Sequence, residues 1–174
     1  GKSHLIRCLK QRMREAGRKM IVTASTGIAA FDIGGSTLHS RGGFGIGDKK
    51  FDQLLRSAQR SKGKAQAWCQ ADALLIDECS MVTTAYMNKL DRVLRRLRKR
   101  ANEAMGGIQV IFIGDFLQNP AITKPEDVTT FDDAEARTPL FESKLWKKGL
   151  AVQCVLLREN FRQRGDEAFA ALLD

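Results

Sequence analysis

Ala73-Leu74-Leu75-Ile76-Asp77-Glu78 is the stretch on which the fold turns: an apolar run of strand length that stops on two adjacent carboxylates. A strand with no polar residue at alternate positions is one covered on both faces, as in a parallel sheet flanked by helices. Two further runs have the same character, Met20-Ile21-Val22-Thr23-Ala24 upstream and Ile108 to Ile113 downstream, the latter ending at Gly114-Asp115. Ala151 to Leu156 reads as a fourth strand.

Helical patterns separate these runs. Leu5, Ile6, Leu9, Met13 and Ala16 recur at helical spacing, with Gly17 placed to end the helix. Thr26-Gly27-Ile28-Ala29-Ala30 opens another helix, and residues 50–70 read as polar and helical. From Thr84 to Ala101 the spacing puts Tyr86, Leu90, Val93, Leu94 and Leu97 on one face. Leu140 to Lys148 is expected to form a short helix, and Asp166 to Leu173 starts a last one. The glycine-rich residues 34–47 read as a long loop, and residues 121–139 as an exposed loop. Strands alternating with helices predict an α/β fold, a mainly parallel sheet with helices on both faces.

Composition agrees. Apolar residues are 43% of the 174 and prolines number three, which excludes a disordered or collagen-like chain. The net charge of +9 favours an anionic partner, with nucleic acid first. Cys8, Cys69, Cys79 and Cys154 form no C-x-x-C pair, which argues against a zinc site, and are expected to be reduced and mostly buried.

In parallel sheets ligands bind beyond the carboxyl ends of the strands, and here those ends carry chemistry. Gly1-Lys2-Ser3 before an amphipathic helix matches the last three positions of the phosphate loop G-x-x-x-x-G-K-[ST]. In that motif backbone amides wrap the phosphates, the lysine reaches the β- and γ-phosphates of ATP, and the hydroxyl ligates Mg2+. After a strand, Asp77 suits a Mg2+ ligand and Glu78 a general base for an attacking water. Gln118, in Gly114-Asp115-Phe116-Leu117-Gln118, suits a hydrogen bond to a γ-phosphate or its water. Arg162 follows the fourth run, where a guanidinium would stabilise charge on a phosphoryl group in transfer.

Taken in order, Thr23-Ala24-Ser25-Thr26-Gly27-Ile28-Ala29-Ala30, Gly34-Gly35-Ser36-Thr37-Leu38-His39-Ser40, Ile76-Asp77-Glu78-Cys79-Ser80-Met81-Val82, Gly114-Asp115-Phe116-Leu117-Gln118 and Phe161-Arg162-Gln163 resemble the motifs of PIF-family DNA helicases. The resemblance runs from Gly1 to about Leu173. It implies a P-loop NTPase (RecA-like) motor lobe of superfamily 1B, from a helicase that uses ATP and Mg2+ to move 5′ to 3′ on single-stranded DNA. Such enzymes open forked duplexes in repair, recombination and telomere maintenance.

By the same resemblance Gly1, Lys2 and Ser3 bind nucleotide, with Ser3 and Asp77 on the Mg2+. Glu78 is the catalytic glutamate, Gln118 the γ-phosphate sensor and Arg162 the arginine finger. Thr26, His39 and Ser40 match segments that touch the DNA backbone. Family members work in nuclei, mitochondria, bacteria and viruses, so the resemblance implies an intracellular protein, in the nucleus or mitochondrion if eukaryotic. No apolar run approaches the ~18 residues that cross a bilayer, and no membrane partner is expected. Oligomeric state is left open.

The chain departs from the family at Asn119-Pro120-Ala121-Ile122, where Leu-Pro-Pro-Val is usual, and at Cys79, where isoleucine is common. Residues 1–174 are expected to be a single lobe truncated at both ends, lacking its first strand, most of the phosphate loop and the second motor lobe. Such a fragment would bind nucleotide weakly and unwind nothing alone. Two alternatives stand beside this reading: a non-catalytic basic remnant that binds DNA or protein, and a RecD-like motor subunit. The basic run Arg92 to Arg100 reads as a solvated helix face, or else as a nucleic-acid or partner contact. Trp146 is expected to pack its helix on the sheet, and Met81, Met87 and Met105 to fill the core.

Overall fold

The computed structural model describes residues 1–43, 45, 50–118, 120–121 and 138–157. Three strands form where the apolar runs predict them: β1 (Met20–Ala24), β3 (Ala73–Asp77) and β4 (Gln109–Ile113). A two-residue strand, β2 (Ser36–Thr37), completes a parallel sheet of order β2-β1-β3-β4. The helices are α1 (Lys2–Glu15), α2 (Gly27–Asp32), α3 (Leu38–Gly42), α4 (Phe51–Arg60), α5 (Lys62–Gln70) and α6 (Thr84–Leu97).

Every residue of β3 is buried, and alternate side chains serve two cores. Leu75 joins Ile6, Ala24, Ala30, Ile33 and Ile113 under α1 and α2. Leu74 and Ile76 join Leu54, Trp68, Met87, Leu90 and Leu94 under α4, α5 and α6. Helices therefore cover both faces, as the unbroken apolar pattern requires.

Several boundaries differ from expectation. The glycine-rich segment 34–47 is not all loop, since it contains β2 and α3. Gly35 makes β2 possible: a Cβ there would stand 2.6 Å from the Val22 carbonyl oxygen, so only glycine lets the backbone approach β1. Residues 50–70 form two helices, which meet at Ser61. α6 stops at Leu97 rather than Ala101 because Lys99 turns left-handed (φ 57°), and the amides of Lys99 and Arg100 bond back to the Arg96 and Arg95 carbonyls. Residues 140–149 form a 3-10 turn (Leu140–Glu142) and a π-helical turn (Leu145–Gly149) instead of one helix.

The fourth apolar run is a correction. Ala151 to Leu156 is not a strand. A strand needs a ladder partner, and the outer edge of β4 has none among the described residues. Val155 and Leu156 stand 86% and 79% exposed. The predicted helix at 166–173 and most of the loop at 121–139 lie outside the described residues.

All four cysteines are free, but only Cys79 is buried; Cys8, Cys69 and Cys154 are exposed, contrary to expectation. An apolar or helical neighbourhood in sequence does not say which side of the element faces out. Met87 and Met105 fill the core and Met81 is half-buried. Trp146 packs against Phe112, with ring centroids 4.5 Å apart. Trp68 is fully buried and donates its indole N–H to the Arg41 carbonyl.

The basic run divides. Arg92, Arg96, Lys99 and Arg100 are exposed, as on a solvated face. Arg98 instead reaches across the end of α5. Its guanidinium donates to the carbonyls of Trp68, Cys69, Ala71 and Gly106. Arg98→Met is expected to cost about 1.5–3 kcal/mol, the range for hydrogen bonds to a charged group, read as a lower midpoint in urea. Lysine at 98 should not restore it, because a point charge cannot span separate carbonyls. An unchanged midpoint in Arg98→Met would show that the clamp contributes nothing.

Candidate active site

The parallel ladder brings the strand exits together. Ala24 pairs with Asp77 and Asp77 with Ile113, so Ser25, Glu78 and Gly114 leave the sheet side by side. The Ser25 amide donates to the Asp77 carbonyl at 3.1 Å, extending the ladder by one bond.

Lys2 lies in the first turn of α1, for which Gly1 is the N-cap. Its Nζ sits 3.0 Å from Glu78 Oε1, joining two motifs 76 positions apart. Each side chain is a little over a quarter exposed, so the pair is only partly screened by water. Glu78 itself adopts φ 51°, ψ 47°, a left-handed conformation that costs a non-glycine residue about 1–2 kcal/mol. The strain turns the chain sharply off β3 and holds the carboxylate at the sheet edge.

Asp77 is 6% exposed, and its Oδ1 is buried with no hydrogen-bond partner among the described residues. Burial pushes its carboxyl pKa up. The Glu78 amide opposes that shift, the Glu78 charge adds to it, and Lys2 opposes it. Ser25 Oγ and Ser80 Oγ are likewise buried with no hydrogen-bond partner among the described residues. A buried anionic oxygen with no donor fits a divalent cation, which would supply the missing electrophile. Sequence reasoning picked out Asp77 but neither serine; hydroxyls in a loop carry no distinguishing pattern.

Ser3 is exposed on the first turn of α1, and no hydrogen bond joins it to Asp77. Cys79 is buried under Gly114, and burial pushes its thiol up to about 12, which leaves it a packing residue and no nucleophile. A Cβ on Gly114 would meet Cys79 Sγ at 2.8 Å and its backbone nitrogen at 2.9 Å, so glycine is what lets the exits of β3 and β4 touch.

Gln118 is exposed and folded back: its amide donates to Asp115 Oδ2 at 3.0 Å, while the Leu117 amide donates to Asp115 Oδ1. Among the described residues no hydrogen bond joins it to Lys2 or Glu78. Asp115, which holds it, stands out in the sequence only as part of a polar strand exit and has no role assigned there, although an aspartate opening a turn is a known signal. Arg162 lies outside the described residues, as do Asn119 and Ile122.

Thr26 caps α2, its hydroxyl accepting from the Ala29 amide at 3.3 Å. His39 and Ser40 lie on α3, which Thr37 caps through the Ser40 amide. His39 is half-buried, its ring 4.3 Å from that of Tyr86, whereas Ser40 is exposed. Both follow β2, which pairs with β1 just before Thr26.

Fold and site together define a RecA-like lobe of the P-loop NTPase class. The family model described as PIF1-like helicase matches residues 1–171. The chain is 42% identical to the ATP-dependent DNA helicase PIF1 of Candida albicans, over all of this chain and 19% of that protein. It is 39% identical to the human ATP-dependent DNA helicase PIF1, over 99% of this chain and 25% of that one. The crystal structure of Pif1 helicase from Candida albicans superposes with a TM-score of 0.85 at 39% identity, over 99% of this chain and 37% of that chain. That of Pif1 from Bacteroides in complex with ADP-AlF3 and ssDNA gives 0.80 at 31%, over 99% of this chain and 39% of that one. The chain belongs to the PIF1-like helicase family, which sets the RecD-like alternative aside. It spans about a fifth of the length of the curated relatives it matches.

The ionised form of Asp77 is the one that burial disfavours. Its folded pKa lies above the unfolded one, so its carboxylate lowers stability above that range and has no effect below both values. Asp77→Asn is therefore expected to raise the thermal midpoint at pH 7 in ligand-free protein, with the gain shrinking toward about pH 4. A gain independent of pH would mean that the ionised carboxylate is not its source.

Proposed function

We propose that this chain is the first motor lobe of an ATP-dependent DNA helicase, and that Lys2, Ser3, Asp77, Glu78, Gln118 and Arg162 carry its ATP hydrolysis. The observation behind this reading is the Lys2–Glu78 ion pair at 3.0 Å beside the unpartnered Asp77 Oδ1. It unites the Gly1-Lys2-Ser3 motif with a carboxylate pair at one sheet edge. Relatives named ATP-dependent DNA helicases, and a neighbour solved with ADP-AlF3 and ssDNA, support the same substrate classes.

Lys2 leaves Glu78 to meet the β- and γ-phosphates of ATP, exchanging one anionic partner for another. Glu78, thereby freed, accepts a proton from water. The water oxygen bonds to the γ-phosphorus, and the bond from phosphorus to the bridging oxygen breaks, releasing ADP and phosphate. Ser3 and Asp77 would hold Mg2+, which when bound neutralises charge on the phosphate oxygens. Gln118, once released from Asp115, reports the γ-phosphate, and Arg162 stabilises the charge in transfer. Thr26, His39 and Ser40 contact the DNA backbone, which orients a strand without reading its sequence.

The substrates proposed are single-stranded and forked DNA, traversed 5′ to 3′ with a second motor lobe, in repair, recombination and telomere maintenance. The setting proposed is intracellular, the nucleus or mitochondrion if the protein is eukaryotic. No helix among the described residues is long and apolar enough to cross a membrane.

In the intact helicase Glu78→Gln should retain ATP binding and lose turnover by about 10²–10⁴-fold, the range for a removed general base. Lys2→Ala should lose nucleotide affinity instead. Undiminished ATPase activity in Glu78→Gln would overturn the assignment. Salt-sensitive DNA binding with no ATPase activity in the unaltered protein would favour the non-catalytic remnant.

A further inference from the structure

α3 is only five residues long and too short to hold itself. Its carbonyls, however, are captured one after another from three other helices. The Tyr86 hydroxyl on α6 donates to the Leu38 carbonyl at 3.2 Å. On α5, Lys64 Nζ donates to the Ser40 carbonyl at 2.6 Å, and the Trp68 indole donates to the Arg41 carbonyl at 3.0 Å. On α4, Ser57 Oγ donates to the carbonyl of Gly43, the left-handed residue (φ 80°) that closes the helix. Lys64 and Trp68 stand four positions apart and so share one face of α5. Trp68 and Tyr86 are buried, so two of the four donors belong to the core itself.

A helix this short leaves its last carbonyls without internal partners, and water would ordinarily satisfy them. Here side chains do so, and the surface that remains outward carries exposed Ser40 and half-buried His39. The His39 ring leans on Tyr86, so the same tyrosine fixes both the backbone at Leu38 and the side chain next to it.

We propose that Tyr86, Lys64, Trp68 and Ser57 form a carbonyl cage whose task is to hold His39 and Ser40 in register for a DNA strand. They are positioning residues: they act on the nucleic acid through α3. This rests on the reading of His39 and Ser40 as DNA contacts. The cage also accounts for a lysine whose charge would otherwise pass for one more phosphate contact. Lys64 keeps its charge but directs an ammonium N–H to the Ser40 carbonyl, and the rigidity of a pre-formed contact surface lowers the ordering cost of binding.

The test uses the full-length helicase carrying Tyr86→Phe or Lys64→Met, each of which keeps the buried stem or ring and removes the donor. Hydrogen exchange of the amides at 38–43 is measured without DNA, and affinity for a labelled oligothymidine strand is measured across a salt series. Exchange at 38–43 should quicken while the β3 amides stay protected. Affinity should fall about 3- to 10-fold, the loss of a hydrogen bond's worth of ordering, with the salt slope unchanged. In a His39→Ala, Ser40→Ala background the same substitutions should add nothing.

Unchanged exchange at 38–43 would overturn the cage. A Lys64→Met loss that lowers the salt slope by about one and persists in that background would make Lys64 a phosphate contact and overturn its positioning role. Quickened exchange with full DNA affinity in the His39→Ala, Ser40→Ala protein would overturn the DNA reading of α3 itself.

Discussion

β3 has no face and no edge left for water. All five of its side chains are buried, so each backbone N–H and C=O on it must be paired within the protein. β1 and β4 meet that demand residue for residue, from Ala73 to Asp77 on both sides. This pairing sets the register, and the register sets the site. Because the three strands run parallel and in step, their exits open at one edge, and the turns that follow must share the space. The close approach of Gly114 to Cys79 is the visible consequence.

At that edge the charges are arranged so that none is satisfied alone. Lys2 and Glu78 neutralise each other across the sheet end, whereas Asp77, one residue earlier and buried, keeps an oxygen without a donor. Glu78 is also held in a backbone conformation that few non-glycine residues adopt. A strained residue, a buried acceptor with no partner among the described residues and an ion pair stand together at one sheet edge, a concentration that motivates the functional reading proposed above. Gln118, at the next strand exit, has its amide hydrogen-bonded to Asp115.

Charge elsewhere divides along a different line. The basic residues of the run at 92–100 look equivalent in sequence, yet they have separate fates. Arg95 pairs with Asp91, Arg98 clamps carbonyls at the end of α5, and Arg96 and Lys99 face solvent. The +9 balance already cancels ion pairs such as Arg95–Asp91, so what the fold decides is where the remaining charge is presented. Lys64 keeps its charge while one ammonium N–H is directed to the Ser40 carbonyl.

The strands β1, β3 and β4, the parallel sheet covered on both faces, and the carboxylate pair were legible in the sequence, because unbroken apolar runs admit few alternatives and Asp77-Glu78 interrupts one abruptly. The Gly1-Lys2-Ser3 motif and the family were legible in short strings whose residue types are dictated by backbone and phosphate chemistry. Local pattern could not supply what depends on a distant partner. Ala151 to Leu156 has the composition of a strand but no edge to pair with among the described residues, whereas Ser36–Thr37 lacks that composition and pairs because Gly35 clears a path to Val22. Which cysteine is buried, that Asp115 holds Gln118, and that four donors from three helices grip α3 are equally matters of tertiary contact. Hydrophobic periodicity is a property of one segment and survives in the sequence; hydrogen-bond satisfaction is a property of pairs, and only the folded chain decides who the partner is.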